Sequence, residues 1–339
     1  MLIFKGKTLL ITGGAGSLGK AITKHVLVTY PNIKRLVIYS RDEQKQFQMA
    51  QEFPVARFPQ IHYVIGDVRD KERLERTFQT VDYVIHAAAM KHVHIAELNP
   101  DECIKTNIGG AQNVIAACLK TKVERVVAIS TDKACAPIGL YGATKLTSDK
   151  LFIAANNGQA ERDVRFSVVR YGNVLGSVGS VVPFFIRKKK TSHSLPITDP
   201  SMTRFNSSQQ GAVDMIMYAL EYAWGGELFV PKIPSYRITD VAEAIGPECE
   251  KPIIGIRPGE KVHEEMITAS DAFYTYDLGN YYSILPPINK WNLEEYVSKF
   301  NAKKVPLGFS YNSGDNEEWE TVESLRLLIK ALVDDNLEL

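Results

Sequence analysis

Apolar residues come in short, nearly unbroken runs through the first half of the chain: KTLLIT (7–12), RLVIYS (35–40), HYVIGD (62–67), DYVIHAAA (82–89), RVVAIS (125–130) and RFSVVR (165–170). Each run is rich in β-branched residues and bounded by polar turns, which predicts strands buried on both faces. Between them, residues 18–29, 42–52, 70–79, 101–121 and 141–157 place apolar side chains at helical intervals. This alternation predicts an α/β fold, a Rossmann-type doubly wound parallel sheet whose ligands bind at the carboxyl ends of the strands. After about Tyr171 the elements shorten and loops such as GSVGSVVP and IGIRPGEK appear. The expected organisation is a first domain over 1–172 and a smaller C-terminal α/β substrate domain over 173–339. A helix at about 209–224 is expected to pack back on the first domain.

Composition narrows the class. At 339 residues, 45% hydrophobic and 23% charged, the chain suits two domains with packed cores. Lys+Arg (40) and Asp+Glu (39) nearly cancel to a net charge of +1, which argues against a nucleic-acid partner. RKKK (187–190) then reads as a solvated helix end. Cys103, Cys118, Cys135 and Cys249 are widely spaced with no ligand pattern, so a reduced, cytoplasmic setting is expected. The N-terminal apolar run is broken by Lys5 and Lys7 and reads as a strand, not a signal sequence. No stretch approaches the ~20 apolar residues of a membrane span, so no membrane association is expected.

The first strand runs into TGGAGSLG, with Gly13, Gly16 and Gly19 spaced by three and Ser17 and Leu18 opening the following helix. Glycines there let the backbone turn tightly and approach a pyrophosphate, which the helix N-terminus binds. The second strand ends in Ser40 and Arg41, with Lys45 one helical turn on. Two cations and a hydroxyl suit a 2′-phosphate and therefore NADP, while Asp42 beside them leaves NAD open. Asp67, closing the third strand and followed by Val68, is placed to touch the adenine amine. Ala87, after the fourth strand, offers a small surface on which a cofactor can lie.

The fifth strand delivers Thr131 to the nicotinamide end of such a site. Tyr141 opens the next helix, and Lys145 lies one turn further on the same face. A phenol is a poor base at neutral pH unless neighbouring positive charge favours the phenolate. The expected roles are orientation of a substrate hydroxyl by Thr131, its deprotonation by Tyr141, and activation of Tyr141 by Lys145.

With TGxxGxxG and YxxxK in this order, the chain resembles the extended short-chain dehydrogenase/reductase superfamily over essentially its whole length. STDKA, YGATK, RYGNVLGSVGSV, MTRF and RPGEKVHE resemble, within it, the soluble UDP-N-acetylglucosamine 4,6-dehydratases that invert C5 and open the pseudaminic acid route. The resemblance implies an NADP enzyme acting on a UDP-sugar, generally as a homo-oligomer. Oxidation at C4 acidifies the C5 proton and prepares loss of the C6 hydroxyl as water, after which hydride returns to C6. Asp132 and Lys133 supply the acid and base this requires, in either assignment. As a base, Lys133 needs a lowered pKa, and Asp132 needs to be protonated when water leaves. Membrane-anchored relatives that retain C5 configuration carry Met where Tyr141 stands. For the nucleotide sugar the resemblance implies Arg257 at the diphosphate, Glu260 at the uridine ribose and Asn173 at the substrate, with Arg204 a further phosphate candidate and Lys91 placed to reach the sugar.

Two other functions fit parts of this pattern: a nucleotide-sugar 4-epimerase, which needs only the first oxidation, and a non-catalytic NADP-binding regulatory protein. His86, His92 and His94 gather in HAAAMKHVH without a carboxylate or cysteine to complete a metal site. HEEM (263–266) lacks the second His of a zinc-protease helix. No metal is expected. Asn107 resembles the superfamily's helix Asn, and helix packing explains it equally well.

Overall fold

The computed structural model describes residues 3–157, 163–177, 179–257 and 259–334. Its first half runs β1 (Thr8–Thr12), α1 (Ser17–Thr29), β2 (Arg35–Ser40), α2 (Glu43–Glu52), β3 (Ile61–Ile65), α3 (Lys71–Phe78), β4 (Tyr83–His86), α4 (Val93–Leu98), α5 (Pro100–Ile104), α6 (Gly110–Lys120), β5 (Arg125–Thr131), α7 (Leu140–Ala154) and β6 (Arg165–Tyr171). These strands pair in parallel in the order β3-β2-β1-β4-β5-β6. That is the doubly wound Rossmann order, which opens a ligand crevice at the strand carboxyl ends where winding reverses between β1 and β4.

The second half contributes β7 (Asn173–Val174), α8 (Val181–Ser192), β8 (Thr203–Ser207), α9 (Gln209–Tyr222), β9 (Leu228–Pro231), β10 (Ser235–Arg237), α10 (Ile238–Ile245), β11 (Glu265–Ile267), β12 (Thr275–Asp277), β13 (Tyr281–Ile284), α11 (Leu293–Phe300), β14 (Lys303–Lys304), β15 (Tyr311–Asn312) and α12 (Val322–Asp334). Part of it extends the large sheet. β9 joins β6 in parallel, and β13, β12 and β14 follow antiparallel, giving a ten-stranded sheet. The other part stands beside the strand carboxyl ends: β7, β8 and β10 form a small sheet, and α8, α10 and α12 bury Val182, Phe185, Val241, Ala242 and Leu325 in a separate apolar cluster.

The sheet faces are covered by different helices. On one, Val213, Ile216 and Leu220 of α9 share a buried cluster with Leu9, Ile11, Ile22 and Val26 of β1 and α1. On the other, Leu74, Val114, Ala117 and Phe152 of α3, α6 and α7 cover Leu10, Val84 and Val126.

Several boundaries differ from the sequence pattern. The third and fourth strands stop at Ile65 and His86, leaving Asp67 and Ala87 in the loops that follow. The apolar periodicity over 101–121 predicts one helix, but α5 and α6 are separated by a π-helical turn, Lys105–Gly109. The buried Asn107 side chain explains this: it donates to Met90 O (3.0 Å) and Thr144 Oγ1 (3.0 Å) and accepts from Met90 N (2.8 Å). Satisfying these three partners draws the turn open toward β4 and α7.

Candidate active site

The turn from β1 into α1 is built for close approach. Gly13 has φ 68, and a Cβ there would stand 2.9 Å from the Ala88 backbone. At Gly19 a Cβ would meet Gly14 O at 2.2 Å, so only glycine permits this helix–strand contact. Gly16 caps α1 with no side-chain hydrogen bond, leaving the N–H groups opening the helix at Ser17 and Leu18 available to an anion. Across the crevice, Ala87 N donates to Thr12 O (3.1 Å) and Ala88 N to Thr12 Oγ1 (3.3 Å), fixing the loop after β4.

At the end of β2, Asp42 caps α2 by accepting from Lys45 N (2.9 Å) and pairs with Lys45 Nζ (3.3 Å). The bond from the Lys45 backbone holds its carboxyl below the ordinary range. Ser40 Oγ accepts from Asp42 N at 3.4 Å. Arg41 lies exposed, 3.7 Å from Asp67. Asp67 does not close β3, and its carboxylate is taken up by Arg69 through N (2.9 Å), Nε (3.0 Å) and Nη2 (2.7 Å). Val68 is buried beside it. Lys91 lies in the loop after β4 and is exposed.

β5 carries Thr131 to the sheet edge, and a single 3-10 turn, Asp132–Ala134, follows. Tyr141 lies in the first turn of α7, and Lys145, 4% exposed, donates to Ile129 O of β5 at 2.7 Å. One turn further, Asp149 accepts from Ser130 Oγ (2.7 Å) and pairs with Arg170 (3.3 Å), completing a buried polar column against β5 and β6. Burial lowers the Lys145 pKa, and Asp149 opposes that. Burial pushes the Tyr141 phenol up to about 12, and the charge pulling it back most is Lys133, followed by a hydrogen bond with Thr131. Lys145 spends its charge on the Ile129 carbonyl and Asp149.

Asp132 and Lys133 do not point to solvent. Asp132, 1% exposed, accepts at Oδ1 from Lys133 Nζ (3.0 Å) and from Thr131 Oγ1 (3.0 Å). Burial raises its pKa, as a group acting as an acid requires. Lys133 departs from the expectation of a lowered pKa. Burial does pull it down, but Asp132 and Glu264 together outweigh that and leave it raised. Glu264, 2% exposed, meets Lys133 Nζ at 3.0 Å from the far side. HEEM is no helix: Glu264 stands in the loop just before β11.

Glu264 is the residue that sequence reasoning missed. Its one signal was a carboxylate inside RPGEKVHE next to an apolar strand, and nothing local says that the loop folds against the turn after β5. Lys261 of the same loop makes the closure visible by donating to Cys135 O at 2.6 Å. The neighbouring Ala136 is held at φ 41, a left-handed backbone that costs about 1–2 kcal/mol in a residue with a Cβ.

The remaining substrate candidates fall in two groups. Arg204 of β8 is no surface ion pair: it is 9% exposed, donates to Thr203 O (2.6 Å) and Val262 O (3.0 Å), and lies 3.8 Å from Glu264. Asn173 opens β7 with its Oδ1 buried and unpartnered among the described residues. Arg257 and Glu260 stand 3.8 Å apart in the loop before Lys261, with Arg257 more than half exposed. The His residues are not gathered: His86 is buried against Thr12 Oγ1 at 2.8 Å, and the described residues hold no metal-binding group of His, Cys, Asp and Glu.

A glycine turn for a dinucleotide, a Tyr-Lys helix pair and an acid–amine cluster on one sheet edge define a short-chain dehydrogenase/reductase type of enzyme. The chain belongs to the polysaccharide biosynthesis protein family, whose pattern it matches over residues 9–286. It is 53% identical over 337 residues to the UDP-N-acetylglucosamine 4,6-dehydratase (inverting) of Campylobacter jejuni, covering 96% of this chain and 98% of that one. It is 39% identical over 333 residues to the UDP-glucose 4-epimerase of Rickettsia felis, covering 96% of each. The crystal structure of Pen from Bacillus thuringiensis superposes with a TM-score of 0.87 at 36% identity, covering 97% of this chain and 98% of that one.

Proposed function

We propose that this protein dehydrates UDP-N-acetylglucosamine across C5 and C6 with inversion at C5, using bound NADP and no net redox change. The observation that carries the reading is the contact of buried Asp132 with partly buried Lys133 beside Tyr141, in a chain 53% identical to an enzyme of that name. An epimerase needs no second acid and amine at this place.

Bound NADP supplies a hydride acceptor at C4 and a donor at C6. Thr131 orients the C4 hydroxyl and Tyr141 takes its proton, helped by the positive charge of Lys133. The C4 ketone acidifies the C5 proton, which Lys133 removes, while Asp132 protonates the departing C6 hydroxyl. Ser40, Arg41 and Lys45 hold the cofactor 2′-phosphate. Arg257 and Glu260 hold the UDP moiety, and Asn173 and Lys91 hold the sugar. Residues 1–172 are read as the cofactor part, and the cluster around α8, α10 and α12 as the lobe that closes over the substrate. The described cysteines are all free and buried, which supports a reducing, cytoplasmic setting. Exposed Ile95, Leu98 and Ile104 support self-association. The product is one that opens the pseudaminic acid route.

Mass spectrometry after incubation with UDP-N-acetylglucosamine tests this: loss of one water, deuterium at C5 in heavy water and unchanged NADPH absorbance are expected. The relationship to the Rickettsia felis protein favours a second reading, 4-epimerisation. That reading predicts a C4 epimer that keeps its C6 oxygen and takes no deuterium at C5.

A further inference from the structure

Glu264 has no part in the mechanism above, yet it is a buried carboxylate, 2% exposed, in contact with the reacting amine. Two buried carboxylates, Asp132 and Glu264, grip one ammonium at 3.0 Å each. Asp132 Oδ2 and Glu264 Oε2 are both buried with no hydrogen-bond partner among the described residues. Two like charges so close, each with an oxygen lacking a donor, favour protonation of one of them.

The surrounding charges decide which. Glu264 also has Arg204 of β8 at 3.8 Å and Lys261 of its own loop nearby. Among the described residues, Asp132 is hydrogen-bonded by Lys133 and the Thr131 hydroxyl and has no second cation in contact. The other titratable groups facing the cluster are Tyr141 of α7 and Tyr236 of β10. Burial pushes both carboxyls up, but Lys133 and Arg204 bring Glu264 below its ordinary range, whereas Asp132 stays raised with Glu264 contributing.

We propose that Glu264 is a positioning residue for the elimination: it is the ionised partner that keeps Asp132 protonated, and it accepts the spare proton of Lys133 once C4 has been oxidised. The proposal rests on the dehydratase reading. In the resting enzyme Glu264 is carboxylate, Lys133 ammonium and Asp132 neutral. Transfer of one proton across the 3.0 Å contact leaves Glu264 neutral and Lys133 a free amine. Lys133 then takes the C5 proton while Asp132 gives its proton to the leaving oxygen, so water departs and Lys133 and Asp132 finish charged. This reconciles a base role with an amine whose resting pKa is raised.

The test is Glu264→Gln with NADP bound, assayed for transient NADPH absorbance and for release of water from UDP-N-acetylglucosamine across pH. Reduction of the cofactor is expected to persist, while kcat for elimination falls about 100-fold with KM little changed. Without this carboxylate Lys133 must lose its proton to solvent, so the acid limb of the pH profile moves to higher pH, while Asp132, relieved of a neighbouring negative charge, ionises more readily and the basic limb moves to lower pH. Glu264→Asp restores both positions. A Glu264→Gln profile that coincides with wild type, or equal loss of hydride transfer and elimination, overturns the proposal. Should that variant fail to fold, wild type labelled with 13C at the Asp carboxyls decides: one protonated Asp carbon at pH 7, absent from Asp132→Asn, is expected, and all carboxyls ionised overturns it. A wild type that releases no water defeats the dehydratase reading separately and leaves this titration to be read on its own.

Discussion

The glycine turn with the Tyr141–Lys145 helix and the Asp132–Lys133–Glu264–Arg204 cluster lie at the same sheet edge but are held in different ways. In the first, every residue sits within a turn or two of its partner, and the backbone itself sets the geometry. In the second, the turn after β5, the strand β8 and the loop before β11 each bring charged groups that meet only because the chain closes on itself. On the proposed reading, the cofactor surface is made by residues close in the chain, whereas the acid and amine for elimination meet partners brought from distant segments.

The largest effects separate the two regions by reaction step. Tyr141→Phe is expected to lower kcat about 1,000-fold and to abolish transient NADPH, because the C4 proton has no acceptor. Lys133→Met is expected to cost as much in water release while reduced cofactor still accumulates, at a slower rate because Tyr141 loses a positive charge that favours its phenolate. Stopped-flow absorbance paired with product mass spectrometry checks both. Equal loss of reduced cofactor in the two variants would make the regions one unit and break the comparison.

Gly19→Ala comes next. A Cβ 2.2 Å from Gly14 O forces α1 away from β1, an overpacking cost of about 1–3 kcal/mol. A lower Tm and loss of NADP during gel filtration are expected, with normal elimination in whatever fraction keeps its cofactor. A smaller change follows from Arg41→Ala with Lys45→Ala: NADP affinity, measured by titration calorimetry, falls about 10-fold while NAD affinity holds. Unchanged preference would move the 2′-phosphate site elsewhere.

The smallest effect is a pH dependence beneath the cofactor crevice. Burial, with Lys145 adding, pushes His86 down to about 3. An unfolded His takes up a proton near pH 6.5 that the folded one refuses, so this contribution to stability is present above 6.5 and lost as pH falls from there through about 3. His86→Asn, which keeps a polar atom for Thr12, is expected to show a smaller drop in Tm between pH 7 and pH 5 than wild type.

Strand and helix positions in the first half were legible because each element must bury its own apolar face. β2 falls where RLVIYS places it, and β1, β5 and β6 differ from their runs by a single residue at an end. The break at Lys105–Gly109 was not legible, since the periodicity continues through it and the cause is Asn107 reaching Met90 and Thr144. Nor was the alignment of β9, β13, β12 and β14 with the large sheet: short strands carry too little pattern to name their neighbours. At the site, Gly13, Gly19, Tyr141 and Lys145 were readable as spacing. That the Asp67 carboxylate meets Arg69, and that Arg204 is buried against Glu264, was not readable there.

By itself the sequence determined the order of strands and helices, the glycine turn and the side chains offered at the end of β5, because these depend on interactions among residues close in the chain. Only the tertiary structure decided which carboxylate meets Lys133 and how far Tyr141 and Asp132 are removed from water. Those outcomes depend on distance and burial between segments far apart in sequence, and charge interactions in a dry interior change steeply with both.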